Sequence, residues 1–157
     1  MSLLRQPLLL LARSGAVKSV VSTMPVSSGI VHSYVPGETT QAAVDATADL
    51  EAEGLKVTLD FLGEDTLDAA QAQATVDAYV ELLGALAAQG LAHGAEVSVK
   101  LSAVGQALSE GGHGIALEHA RTICRAARNA GTTVTLDMED HTTTDSTLSI
   151  LRELRKD

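Results

Sequence analysis

Three stretches of the chain alternate apolar and polar residues, and an apolar stripe at helical spacing follows each of them. A period of two predicts strands, because successive side chains of a strand point to opposite faces. The predicted strands are residues 56–61, 95–102 and 133–139. The predicted helices are residues 40–53, 66–89, about 115–130 and about 146–157. This alternation of strands and helices is typical of a parallel sheet.

Each predicted strand has one apolar face and one small or polar face. The polar faces carry Thr58 and Asp60, then Ser98, Lys100 and Ser102, then Thr133, Thr135, Asp137 and Glu139. The central strands of a doubly wound sheet are instead apolar on both faces, and no GxGxxG motif follows any of the strands. The pattern therefore favours a (β/α)8 TIM-type barrel. Eight such units need about 300 residues, so we expect the N-terminal helices and about three βα units of a longer barrel.

Local signals refine these elements. Thr39 or Thr40 can cap the first helix, and Gly54 ends it. The helix after the first strand has an apolar stripe of Val76, Val80, Leu83 and Leu86. A glycine-rich loop is predicted over residues 105–114. Pro25 and Pro36 interrupt the start of the chain, so the predicted domains are an N-terminal helical segment, residues 1–36, and an incomplete barrel portion, residues 37–157.

The composition excludes some classes of function. Of the 157 residues, 45% are apolar, and the net charge is −9, which speaks against a nucleic-acid surface. Aromatic residues make up only 2%, so platforms for base stacking are not expected. The single cysteine, Cys124, lies on a predicted helix without a nearby histidine, and we interpret it as a small buried apolar residue.

Three ionisable residues occupy comparable positions on consecutive strands: Asp60, Lys100 and Asp137. We expect them at one level on the same face of the sheet. They form either a structural ion-pair network or a site in which Lys100 binds a substrate carboxylate. Glu64, after the first strand, is either an acid at a helix N-terminus or a residue that reaches over the site.

The end of the third strand offers an alternative, a divalent metal site. Its candidate ligands are Asp137, Glu139, Asp140 and His141. Neighbouring strand residues point to opposite faces, so few of them can converge on one ion. We therefore predict no metal and assign Asp140, His141 and Asp145 to the turn and the cap of the next helix.

Four sequence blocks in this order resemble flavin-dependent proline dehydrogenase, especially its monofunctional bacterial form. The blocks are GETT at residues 37–40, VTLDFLGE at residues 57–64, VSVKLSA at residues 97–103 and TLDMED at residues 135–140. The resemblance implies a distorted barrel that binds FAD at its carboxyl end. It also implies oxidation of L-proline to Δ1-pyrroline-5-carboxylate, the first step of proline catabolism to glutamate, with hydride passing to FAD and electrons then to a quinone.

The resemblance also implies roles for individual residues. Lys100 would bind the proline carboxylate together with Asp60, and Asp137 would be the active-site acid. Met138 would contact the flavin, and Glu64 would gate the site. The remaining flavin contacts would lie beyond residue 157, so we expect residues 1–157 alone to be inactive.

We expect a cytoplasmic enzyme that can make peripheral contact with the inner membrane. Two other interpretations remain: a metal-dependent aldolase or hydrolase on the same barrel, and a non-catalytic binding fragment.

Overall fold

Three parallel strands form one sheet, and the order of the strands in the sheet follows their order in the chain. The strands are β1 (Val57–Asp60), β2 (Ala95–Lys100) and β3 (Val134–Asp137). The helices are α1 (Thr40–Ala52), α2 (Ala69–Ala88), α3 (Gly112–Ala130) and α4 (Thr144–Leu154). The helix α2 connects β1 to β2, and α3 connects β2 to β3. The predicted succession of βα units is confirmed.

The computed structural model describes residues 37, 39–62, 66, 68–138 and 140–157. The predicted helical segment, residues 1–36, lies outside these residues, so that segment and its boundary stay predictions. Within the described ranges, no helix combines the length and the apolar character needed to cross a bilayer.

The hydrophobic core lies between the helices and one face of the sheet. Val97 and Val99 on β2 are fully buried there, together with Leu83 of α2 and Ile123 of α3. The other face of the sheet is polar, and we call it the lumenal face. Burying the branched side chains of β2 is worth about 1.5–3 kcal/mol each, so the helix-covered face supplies much of the stability.

The first two helices begin where a side chain can cap their free amide groups. Thr39 Oγ1 accepts a hydrogen bond from Ala42 N (3.2 Å), and Asp68 Oδ1 accepts one from Gln71 N (2.8 Å). The helix α2 therefore begins at Ala69 rather than at the predicted Thr66. Thr66 is instead buried, and its hydroxyl donates to the Ser102 carbonyl oxygen (3.1 Å).

The buried stripe of α2 differs from the predicted one at a single position. Val76, Leu83 and Leu86 are buried as expected, but 38% of Val80 is exposed. Tyr79 takes its place and is only 2% exposed. The prediction for Val80 was wrong because it counted only apolar residues, whereas a tyrosine can be buried when its hydroxyl finds hydrogen-bond partners.

A buried helical turn with five-residue spacing, Ser102–Gln106, follows β2 where a glycine-rich loop was predicted from residue 105. Gln106 N donates to the Leu101 carbonyl oxygen (2.9 Å), and Gly105 has a φ of 111°. A Cβ atom on Gly105 would lie 2.8 Å from Ile115 Cγ2, closer than van der Waals contact allows. Only glycine fits this position without strain, because the backbone there has a positive φ and the surroundings leave no space for a side chain.

We expect Gly105→Ala and Gly84→Ala to change the free energy of unfolding in opposite directions. Gly105→Ala should lower it by about 1–3 kcal/mol, through backbone strain and the contact with Ile115. Gly84 lies inside α2, and a Cβ atom added to this residue would meet nothing within 4 Å. Alanine at this position should therefore raise the free energy of unfolding by about 0.5–1 kcal/mol. Denaturant unfolding of the two variants measures both effects, and changes of equal sign would contradict the geometry of the turn.

Candidate active site

Lys100 forms the centre of a charged cluster at the carboxyl end of the sheet. Its Nζ atom forms an ion pair with Asp60 Oδ2 and lies 3.8 Å from Asp137 Oδ2. The three residues come from the last positions of β2, β1 and β3. The lysine side chain is 18% exposed, against 30% for Asp60 and 48% for Asp137. The structure thus brings together the three residues that the alternation placed on the lumenal face.

The register of the strands corrects one part of that prediction. Lys100 lies opposite Asp137, but Asp60 lies opposite Ser98, one lumenal position earlier along β2. The expectation that all three residues share a level was therefore wrong for Asp60. The contact forms nevertheless, because the long lysine side chain reaches a diagonal neighbour on the next strand.

Tyr79, which was not predicted as a site residue, lies directly behind Asp60. Its Oη atom accepts a hydrogen bond from Phe61 N (3.1 Å), while its proton has two acceptors, the Ser98 carbonyl oxygen (2.7 Å) and Asp60 Oδ1 (3.3 Å). Burial raises the pKa of the Tyr79 hydroxyl well above its usual value, and the charge on Asp60 adds to the rise. The hydroxyl therefore stays protonated. A tyrosine inside an otherwise apolar helix stripe was the only sequence signal for it.

Large apolar side chains are exposed at the same end of the sheet. Phe61 and Leu62, which follow β1, are 43% and 76% exposed, and Met138, which follows Asp137, is 51% exposed. Such side chains suit the face of an aromatic ligand. Two predicted residues of this region, Glu64 and Glu139, lie outside the described residues.

Asp140 and His141 form the turn between β3 and α4. Asp140 Oδ1 accepts a hydrogen bond from Thr142 N (2.7 Å), and the Asp140 carbonyl oxygen accepts one from Thr143 N (3.2 Å). The bond from the Thr142 amide lowers the pKa of the Asp140 carboxyl group. The side chain of His141 is almost fully exposed, and its Nδ1 atom lies 3.1 Å from Asp140 Oδ1. Asp145 lies in the first turn of α4, where an acid interacts favourably with the helix dipole.

The described part of the chain contains no set of ligands for a metal site, the alternative considered for this region. Within residues 37, 39–62, 66, 68–138 and 140–157, no three His, Cys, Asp or Glu side chains converge as a metal ion would require. The two acids at the carboxyl end already share Lys100, so their charge is partly neutralised by a protein cation.

The opposite end of the sheet has a different polar cluster. Glu96 accepts hydrogen bonds from Thr58 of β1 (3.1 Å), from Thr135 of β3 (3.4 Å) and from Thr133, which directly precedes β3 (3.1 Å). A concavity of about 430 Å³ opens beside Glu96 and does not include Lys100. Active sites of βα barrels lie at the carboxyl ends of the strands, so we assign these contacts to stability.

The sequence of the chain matches a known protein family. A family profile described as proline dehydrogenase matches residues 43–157, most of the chain. The chain belongs to the proline dehydrogenase family. This family membership and the parallel βα units confirm the resemblance seen in the four sequence blocks.

Individual relatives agree with this assignment. The proline dehydrogenase of Deinococcus radiodurans is 39% identical over 121 residues, which are 77% of this chain and 38% of the relative. Proline dehydrogenase 1 of Bacillus subtilis strain 168 is 34% identical over 124 residues, 79% of this chain and 39% of the relative. The chain thus spans less than two fifths of the length of these two proline dehydrogenases.

A solved structure confirms the fold class. It is the crystal structure of proline utilization A (PutA) from Bdellovibrio bacteriovorus inactivated by N-propargylglycine. The likeness has a TM-score of 0.71 at 24% identity and covers 88% of this chain and 16% of that one. The described βα units therefore have the fold of one part of a TIM-type barrel.

The single cysteine of the chain should react slowly with alkylating agents. Cys124 is half-buried on α3, and burial raises the pKa of its thiol, so little thiolate forms at neutral pH. We expect iodoacetamide to modify the native protein more slowly than the protein in guanidinium. The native rate should keep rising with pH where the unfolded rate is already constant. A native rate equal to the unfolded rate at neutral pH would contradict this environment.

Proposed function

We propose that the enzyme to which this chain contributes oxidises L-proline to Δ1-pyrroline-5-carboxylate, the first step of proline catabolism to glutamate. The observation that carries the proposal is the Lys100 cluster at the carboxyl end of a barrel sheet in a member of the proline dehydrogenase family. Because the chain spans 38% of the length of its D. radiodurans relative, the proposal concerns the whole enzyme and not residues 1–157 alone.

In this proposal Lys100 binds the carboxylate of proline. An ammonium group and a carboxylate form a charge-assisted hydrogen bond, which is stronger than a bond between neutral groups. The incoming carboxylate would compete for the ammonium with Asp137, which lies 3.8 Å away and is the more distant of the two acids that the described residues place beside it. The closer partner, Asp60, keeps Lys100 in place during this exchange.

The two acids have different proposed roles. Asp60 belongs to the substrate-binding set, because it holds Lys100 directly. Asp137 is the active-site acid, about half exposed on the lumenal face beside the position proposed for the substrate. The family resemblance adds Glu64 as the residue that gates the site.

FAD is the proposed cofactor, and the described residues fit it at the carboxyl end of the sheet. The exposed side chain of Met138 follows the active-site acid directly and can cover part of a flat, largely apolar ring system. When bound, FAD would supply an acceptor for a hydride, which carries the two electrons of the oxidation. The chain's own part is to hold the substrate by its carboxylate, so that the ring carbon next to nitrogen faces that acceptor.

A quinone is the proposed final electron acceptor. Respiratory quinones dissolve in the bilayer, so the enzyme must meet the membrane surface to be reoxidised. We therefore propose a cytoplasmic enzyme with peripheral contact with the inner membrane.

Replacing Lys100 in the full-length enzyme should weaken proline binding. We expect Lys100→Met to raise the KM for proline about 10- to 100-fold, because a charge-assisted hydrogen bond to the carboxylate is lost while the aliphatic stem is kept. The matched control is Lys56→Met, since Lys56 is an exposed lysine beside the opposite end of β1. Steady-state kinetics with a dye acceptor measure both variants. An unchanged KM in Lys100→Met would refute the role of this residue.

The full-length enzyme should purify with bound flavin that is bleached when proline is added without an acceptor. A chelator should not change the rate, whereas it would inactivate a metal-dependent aldolase or hydrolase. A protein of residues 1–157 alone should bind no stoichiometric flavin and should not oxidise proline. Visible absorbance spectra and dye reduction decide these points. Loss of activity with a chelator, in a preparation without flavin absorbance, would overturn the proposed function.

A further inference from the structure

The hydroxyl group of Tyr79 lies at the point where β1 and β2 separate. The regular pairing of these strands ends with Asp60 opposite Ser98. Beyond it, the Phe61 amide donates to Tyr79 Oη and the hydroxyl donates to the Ser98 carbonyl oxygen. The tyrosine thus forms a bridge between two backbone groups of neighbouring strands. An inserted hydroxyl holds the strands further apart than a direct backbone hydrogen bond would.

The same hydroxyl touches the charged cluster. Tyr79 Oη lies 3.3 Å from Asp60 Oδ1, and the other oxygen of that carboxylate, Oδ2, pairs with Lys100. The carboxylate is therefore contacted on one side by a buried phenol and on the other by the ammonium. Its rotation about the Cβ–Cγ bond would break both contacts. The position of Lys100 thus depends on a hydroxyl that comes from α2, on the helix-covered side of the sheet.

We propose that Tyr79 is a positioning residue, whose hydroxyl spreads the carboxyl ends of β1 and β2 and orients Asp60 so that Lys100 is placed to bind a substrate carboxylate. This inference rests on the proposed function for its substrate, L-proline, but its geometry does not.

The aromatic ring alone does not require a hydroxyl. The ring packs in the core with Val76 and Leu83 and lies 6.2 Å from the ring of Phe61 at an angle of 56°. A phenylalanine would keep these apolar contacts. It would leave the Phe61 amide without its acceptor and Asp60 Oδ1 without this donor. Tyr79→Phe therefore separates the positioning role from simple packing.

The test is steady-state kinetics of the full-length enzyme. We expect Tyr79→Phe to raise the KM for proline about 3- to 10-fold and to change kcat less than about twofold, because the variant misplaces Lys100 without removing it. The matched control is Thr47→Val, which deletes another buried hydroxyl, one that donates to the Ala43 carbonyl oxygen within α1. The control should leave KM unchanged. Equal KM values for Tyr79→Phe and the wild type would overturn the proposal.

A double-mutant cycle with Lys100 distinguishes positioning from general destabilisation. If Tyr79 acts through Lys100, then Tyr79→Phe should change KM less than about twofold in a Lys100→Met background. An undiminished effect in that background would show that the tyrosine acts independently of the lysine, and would refute the proposal.

Amide hydrogen exchange tests the geometry without a substrate. In Tyr79→Phe the Phe61 amide should exchange about 10-fold faster than in the wild type, while Thr47→Val should leave it unchanged. Unchanged exchange would refute the strand-spreading role. Wild-type enzyme that fails to oxidise proline would refute the proposed function instead, and the exchange rates would then decide the role of Tyr79 by themselves.

Discussion

The ion pair between Lys100 and Asp60 is the contact on which the arrangement of the site depends. An ammonium group that is mostly withdrawn from water is costly unless acids accompany it. Lys100 is 18% exposed, and the partners that offset this cost come from both neighbouring strands. If Asp60 were lost, the more distant Asp137 would be the one of these two acids that remains beside the lysine. Together with Asp137, the pair therefore ties the ends of three strands to one charge.

The alternation along β2 lets this site coexist with a stable core. Val97 and Val99 are fully buried under the helices, whereas Ser98 and Lys100 point to the lumenal face. Changes on the polar face do not open cavities in the apolar one, since the two sets of side chains lie on opposite sides of the sheet. The polar lumenal face can thus carry charge without weakening the packing that holds the sheet to its helices.

The strands and the convergence on Lys100 could be predicted because both follow from a period of two in the sequence. The stagger of Asp60 could not, because register depends on how strands tilt and pair, which no local pattern reports. Tyr79 was missed for a different reason. Hydrophobicity ranks Val80 above it, and only the tertiary structure shows the backbone groups that satisfy its hydroxyl. The need for glycine at position 105 likewise appears only in the tertiary structure, where Ile115 occupies the space that a side chain would take.

The two acids beside Lys100 are not equivalent, and the difference bears on how a substrate enters. Asp60 makes the closer contact and is held from behind by the buried hydroxyl of Tyr79. Asp137 lies 3.8 Å from the ammonium and is about half exposed. Attraction weakens with distance and with exposure to water, so the pairing with Asp137 is the easier one to exchange for a substrate carboxylate. This asymmetry favours a site in which Asp60 fixes the cation and Asp137 faces the reacting part of the substrate.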